Sequence, residues 1–167
     1  LVTPAWLADH MDDAGLTIID TQPNVHDYIQ EHIPGAVYLT EGVLRVSNRG
    51  FPTSYSPDAC IQESFRRAGL KADSPAVVYT GKGVFSGWGD GLAQVMMAYT
   101  LAKYGHDTVY ILDGGIDGWK SEGKELSQEF PSVEPSGFTV NVRNDYAVGY
   151  DEFQKIKDND DVIVLDA

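Results

Sequence analysis

Three short apolar runs, rich in β-branched residues and stopped by an acid, a threonine or paired glycines, most constrain what this chain can become. They are LTIID (16–20), AVVYT (76–80) and TVYILDGG (108–115), and each reads as a strand buried on both faces. Segments of helical period lie between them. TPAWLADHMDDAG (3–15) has Thr3 as cap, Pro4 at the first helical position and Gly15 as stop, and NVHDYIQEH (24–32) opens on an Asn cap. In HIPGAVYL the Pro34-Gly35 turn feeds a short strand, and the Gly, Ser, Asn and Pro residues of 47–57 predict a long loop. Ser56-Pro57 starts a helix through Arg67 that ends at Gly69. Leu92, Val95, Met96 and Tyr99 recur at helical spacing and predict a helix to Lys103 with one apolar face; IDGWKSEG adds a last short helix. Strands alternating with helices predict an α/β fold, a parallel sheet flanked by helices on both faces. In such sheets ligands bind at the carboxyl ends of strands, where Asp20, Thr80 and Asp113 fall.

The chain of 167 residues, 43% of them hydrophobic, is sized for one domain and a fragment of another. Twelve basic against twenty-five acidic residues give a net charge of -13, which argues against nucleic acid and anionic lipid as partners and reads most simply as solubility. No window has the length of a membrane span, and no signal segment opens the chain. A start at Leu1 implies that the native start is missing, so a soluble protein, cytoplasmic or exported, is expected without choosing between the two. One cysteine excludes an intrachain disulfide and a multi-cysteine metal site.

Beyond Gly123 the pattern changes. SQEFPSVEPSG (127–137) has linker composition, and FTVNV (138–142) predicts a strand. The residues after it repeat the chain's opening at an offset of 146: Leu7 with Phe153, Ile18 with Val164, Ile19 with Leu165 and Asp20 with Asp166. An offset that long indicates a duplicated domain rather than a solenoid. The expected organisation is therefore a domain at 1–126, a linker at 127–137 and the start of a second domain at 138–167.

The chemistry concentrates in the glycine-rich loop after the second strand, Thr80, Gly81, Lys82, Gly83, Val84, Phe85 and Ser86. Such a loop can converge backbone N–H groups on an anion. It is no nucleotide cradle, because Walker spacing is absent and Ser86 stands where a third glycine would be needed. Cys60, on the predicted helix of 57–67, is expected as a small core residue. His32 and His106 are expected in turn or capping roles, and His10 and His26 at the surface without metal-ligand spacing. No cofactor and no metal are expected.

LTIIDT, YIQEHIPGAVYL, AVVYTGKG and GHDTVYILDGGIDGW, in this order, resemble the rhodanese family of sulfurtransferases, specifically its tandem two-domain type. HIPGA (32–36) together with LDGGIDGW (112–119) carries the resemblance. It implies a catalytic cysteine at the head of the loop, its thiolate or persulfide held by loop N–H groups. Here that position is Thr80, which cannot carry a persulfide. The resemblance thus implies a silent first domain, with the cysteine in the second domain about 146 residues after Thr80. It also implies a small sulfur-containing substrate for the parent protein, thiosulfate or 3-mercaptopyruvate as donor and cyanide or a thiol as acceptor. Phe85 matches the aromatic that lines the interdomain cleft, and Asp20 matches a structural acid. The Arg that commonly follows that acid two residues later is replaced by Gln22, and GWGDG (87–91) is an insertion that leaves Trp88 and Asp90 without counterparts. The alternatives are a non-enzymatic module binding an anion or a protein through the loop, and a phosphatase of related fold, which would need the same absent cysteine. Oligomeric state is not legible in the sequence.

Overall fold

The computed structural model describes residues 1–87 and 91–165; Trp88, Asp90 and Asp166 lie outside the described residues. The three apolar runs become β1 (Thr17–Asp20), β5 (Ala76–Tyr79) and β6 (Val109–Ile111), joined by a two-residue β2 (Val37–Tyr38) after the Pro34-Gly35 turn. They form one sheet of order β2-β1-β5-β6, parallel throughout, with Ile19 opposite Val78 and Val77 opposite Tyr110. Successive side chains point to opposite faces of a strand, so the central strands feed two cores. Ile18, Val77 and Tyr79 pack with Leu7 of α1 (Pro4–His10) and with Ile116 and Trp119 of α5 (Gly115–Ser121). Ile19, Ala76 and Val78 pack with Ile61 and Phe65 of α3 (Asp58–Arg67) and with Met97 and Leu101 of α4 (Leu92–Lys103). Each fully buried side chain of this kind stabilises the fold by roughly 1.5–3 kcal/mol. Between β1 and β2, α2 (Val25–Gln30) starts on Asn24, whose side chain accepts from the His26 N–H at 3.0 Å.

Several expectations change. The stretch expected as a loop at 47–57 is largely a β-hairpin, β3 (Arg45–Asn48) with β4 (Phe51–Tyr55). Its two-residue turn has positive φ at both Arg49 and Gly50, the pattern of a type I′ turn, which the arginine disguises in the sequence. The apolar stripe expected to face the core from α4 is turned the other way: Leu92 and Val95 are exposed, and Met97, Thr100 and Leu101 are buried. That helix is apolar on both sides, so periodicity alone could not choose its inward face. Cys60 is exposed, not core. The inward stripe of α3 is Ile61, Phe65 and Ala68, and Cys60, one position before Ile61, is rotated about 100° away from it.

Residues 138–142 are not a strand. They lie as a strap across α3 and the end of α4, with Phe138 buried edge-on against Phe65 and stacked on His106. The Arg66 side chain donates to the Phe138 carbonyl at 2.7 Å, and the Asn141 and Arg143 N–H groups donate to the carbonyls of Tyr104 and Lys103. A helix leaves its last carbonyls without intrahelical partners, and here an extended segment covers them without joining the sheet. Farther on, α6 (Tyr150–Ile156) is helical, and 162–165 carry no strand, with Ile163 and Leu165 exposed.

Candidate functional site

At the carboxyl end of β5 the chain is pinned between two helices. The Thr80 N–H donates to Gln94 Oε1 of α4 at 3.1 Å, and the Thr80 carbonyl accepts from the Ile116 N–H of α5 at 2.9 Å. This close approach needs Gly115, where φ is +54° and a Cβ would lie 2.1 Å from the Thr80 carbonyl oxygen. Thr80 is buried, and its Oγ1 has no hydrogen-bond partner among the described residues.

The loop does converge N–H groups on negative charge, but the charge belongs to the protein. The Lys82 N–H donates to Asp117 Oδ2 at 2.9 Å, the Phe85 N–H to Asp27 Oδ1 at 2.6 Å, and the Ser86 hydroxyl to Asp27 Oδ2 at 2.6 Å. Asp27 is 2% exposed and sits in the first turn of α2, and Asp117 is in the first turn of α5; both positions suit a carboxylate electrostatically. Gly83 is shaped to this contact: its φ is +70°, and a Cβ would meet Asp27 Oδ2 at 2.3 Å. Side chains at the loop tip point outward. Val84 and Phe85 are exposed, and the Phe85 ring lies edge-on to His26 at 6.0 Å. Lys82 is exposed as well, so of Thr80 to Ser86 only Thr80 and Gly81 are buried.

The other sequence candidates do not join this loop. Asp20 is fully buried under the sheet's carboxyl edge, accepting from the Gln22 N–H at 2.9 Å and from Gln22 Nε2 at 3.0 Å. Burial lifts its carboxyl from the ordinary 3.8 to about 6, against the opposing effect of those bonds and of Tyr79 beside it. The same burial, with Asp20 adjacent, holds the Tyr79 hydroxyl well above its ordinary range. His32 is a structural turn residue, its ring nitrogens 2.7 Å from the Tyr28 carbonyl and 3.0 Å from the Glu129 carbonyl. His106 is buried beneath Phe138, and desolvation lowers its ring below the usual histidine value. His10 stacks on Trp6, His26 is exposed, and Asp113 is exposed beyond β6. Among the described residues, no cluster of three or more His, Cys, Asp or Glu side chains is placed to hold a metal ion. No helix among them is long and apolar enough to cross a membrane.

Sequence reasoning missed Asp27, Gln94 and Asp117 as the groups that hold the loop. Two of them share a local signal, an acid in the first turn of a helix that starts beside a strand's carboxyl end.

The family model of the rhodanese-like domain matches residues 3–122. The "Putative thiosulfate sulfurtransferase" of Synechococcus elongatus is 27% identical over 155 residues, covering 93% of this chain and 47% of that protein. The "Putative thiosulfate sulfurtransferase SseA" of Mycobacterium tuberculosis is 33% identical over 145 residues, covering 87% and 46%. The chain thus spans about half the length of the curated relatives it matches. The crystal structure of SseA from Escherichia coli, described with the rhodanese fold and catalytic mechanism of 3-mercaptopyruvate sulfotransferases, superposes with a TM-score of 0.79 at 25% identity, over 93% of this chain and 60% of that one. With the parallel β2-β1-β5-β6 sheet, the helices on both faces and a threonine at the head of the loop, this chain belongs to the rhodanese-like family and lacks that family's catalytic cysteine.

Proposed function

We propose that this chain is the silent first half of a tandem sulfurtransferase, and that it braces a catalytic twin and forms one wall of the cleft between them. The observation that carries this reading is the occupancy of the loop: the groups that would stabilise a persulfide are bonded to Asp27 and Asp117, and Thr80 stands at its head. Such a site has no nucleophile to carry sulfane sulfur.

The duplicated organisation is supported by α6, whose ends Tyr150 and Ile156 each fall 146 residues after the ends of α1, Pro4 and His10. On this reading residues 1–126 are the silent domain, and 138–167 begin the second. The strap at 138–142 then ties the two together through Phe138. In the parent, a cysteine thiolate of the second domain attacks the sulfane sulfur of thiosulfate or the sulfur of 3-mercaptopyruvate. The bond to the donor's remainder breaks, and the persulfide passes its outer sulfur to cyanide or a thiol, regenerating the thiolate. The exposed Val84 and Phe85 supply the apolar wall over that cysteine.

The test compares the parent protein with residues 1–167 in a thiosulfate–cyanide assay. The parent turns over, and the 1–167 chain gives nothing above its Cys60→Ala variant. Transfer by residues 1–167 that depends on Cys60 overturns the reading. A parent whose second repeat also lacks a cysteine favours the binding-module alternative.

A further inference from the structure

His106 lies at the corner between α4 and β6, 1% exposed, with the Phe138 ring stacked on it at 6.2 Å and 10°. The sulfur chemistry proposed above has no use for it. Neither ring nitrogen has a hydrogen-bond partner among the described residues, and both are sealed from solvent. The Lys71 backbone borders the ring without completing a hydrogen bond to it. A neutral imidazole tolerates such a place better than an imidazolium, which brings a second donor and a charge. The charged groups around the ring do not supply the missing acceptor. Asp107, next in the chain, is exposed and paired with Arg143 at the end of the strap. Arg66 of α3 is committed to the Phe138 carbonyl, and Lys71 and Asp73, in the turn after α3, are exposed.

A proton can therefore reach His106 only if one of its two covers lifts, the strap with Phe138 or the turn with Lys71. The turn feeds β5, a central strand of the sheet. The strap has no regular secondary structure. It is held across α3 by Arg66 Nε and Gln62 Oε1 and at the end of α4 by the carbonyls of Tyr104 and Lys103. A cavity of about 360 Å³ already separates part of it, 137–139, from the turn at 71–73. Segments with few backbone bonds open before the sheet does. We propose that His106 is an acid-sensitive latch for the strap: the ring takes up a proton when Phe138 lifts, and acid thereby favours the lifted strap. With the ring at its ordinary 6.5 when uncovered and neutral when covered, opening rises about tenfold between pH 7.5 and 5.5. The latch needs neither sulfur transfer nor a second domain. In the tandem arrangement proposed above, and resting on that reading, a lifted strap lengthens the tether to the second half.

The experiment is hydrogen exchange of residues 1–167, followed by ¹H–¹⁵N NMR at pH 7.5 and 5.5 and fixed ionic strength, with rates corrected for the intrinsic pH dependence of amide exchange. The expected result is a roughly tenfold fall in protection at the Asn141 and Arg143 amides, which donate to the end of α4, with no comparable fall at Leu70 beside the turn. His106→Phe cannot titrate and keeps a ring against Phe138, so it should abolish the pH dependence at those two amides. The ring's own NMR titration decides the matter even if that variant does not fold: its midpoint in the native protein should lie below 6.5. Strap protection that does not change with pH overturns the proposal. So does a fall that persists in His106→Phe, a fall at Leu70 equal to that in the strap, or a ring midpoint at 6.5 or above.

Discussion

Asp20 is a carboxyl held where a carboxylate is poorly served, and Asp20→Asn measures the cost. Its bonds come from Gln22, a neutral amide, and lifting the carboxyl from 3.8 to about 6 is the work of burial. That displacement corresponds to about 3 kcal/mol between protonated and ionised forms. The folded chain holds this proton more tightly than the unfolded chain. The stabilisation is therefore fully present below 3.8, declines as pH rises from there to about 6, and is lost above. Asparagine does not titrate; its oxygen can still accept from the Gln22 N–H, and its NH₂ can donate to a reoriented Gln22 side chain. Against the parent chain, Asp20→Asn should be near neutral at acid pH and gain up to about 3 kcal/mol at neutral pH, or about 1.5 M in the urea midpoint. Urea titrations at several pH values and fixed ionic strength measure it. Taking the difference between the two proteins removes His106, whose lowered ring value gives a slope of opposite sign below 6.5. A difference that is flat with pH, or a variant weaker at neutral pH, would refute the burial argument. Gln22→Arg offers the complementary test: a cation beside Asp20 should bring its carboxyl down and remove the same slope.

Gly83→Ala forces a Cβ onto the Asp27 carboxylate at a left-handed φ, and should cost about 3 kcal/mol in urea while raising hydrogen exchange at Phe85. Phe138→Ala empties a buried aromatic site under the strap and should cost about 3–5 kcal/mol, a loss that a merely connecting segment would not produce. Thr80→Cys in residues 1–167 should give no turnover with thiosulfate and cyanide, because the loop donors stay with Asp27 and Asp117; measurable thiocyanate would contradict this. Native protein should react with a disulfide reagent at one thiol, Cys60, without prior unfolding.

The sheet and its helices were legible because β-branched runs, caps and glycines act locally. What was not legible depended on contacts distant in sequence. The inward face of α4 was decided by the rest of the core, since both of its sides are apolar. The hairpin at 45–55 hid behind Arg49 in a position that favours glycine or asparagine. The strap was misread as a strand because β-branched residues suit any extended segment, and its partners are carbonyls at a helix end. In the loop, sequence showed donors but not their acceptors, which arrive from α2 and α5.

Those two internal acceptors also decide what the shape of the loop depends on. A backbone that folds around a substrate anion depends on the substrate, or on the residue that carries it, to hold its shape. Here Asp27 and Asp117 take that part, so the shape of the loop is tied to the stability of the domain. Withdrawing either carboxylate would leave loop N–H groups without acceptors and weaken the fold.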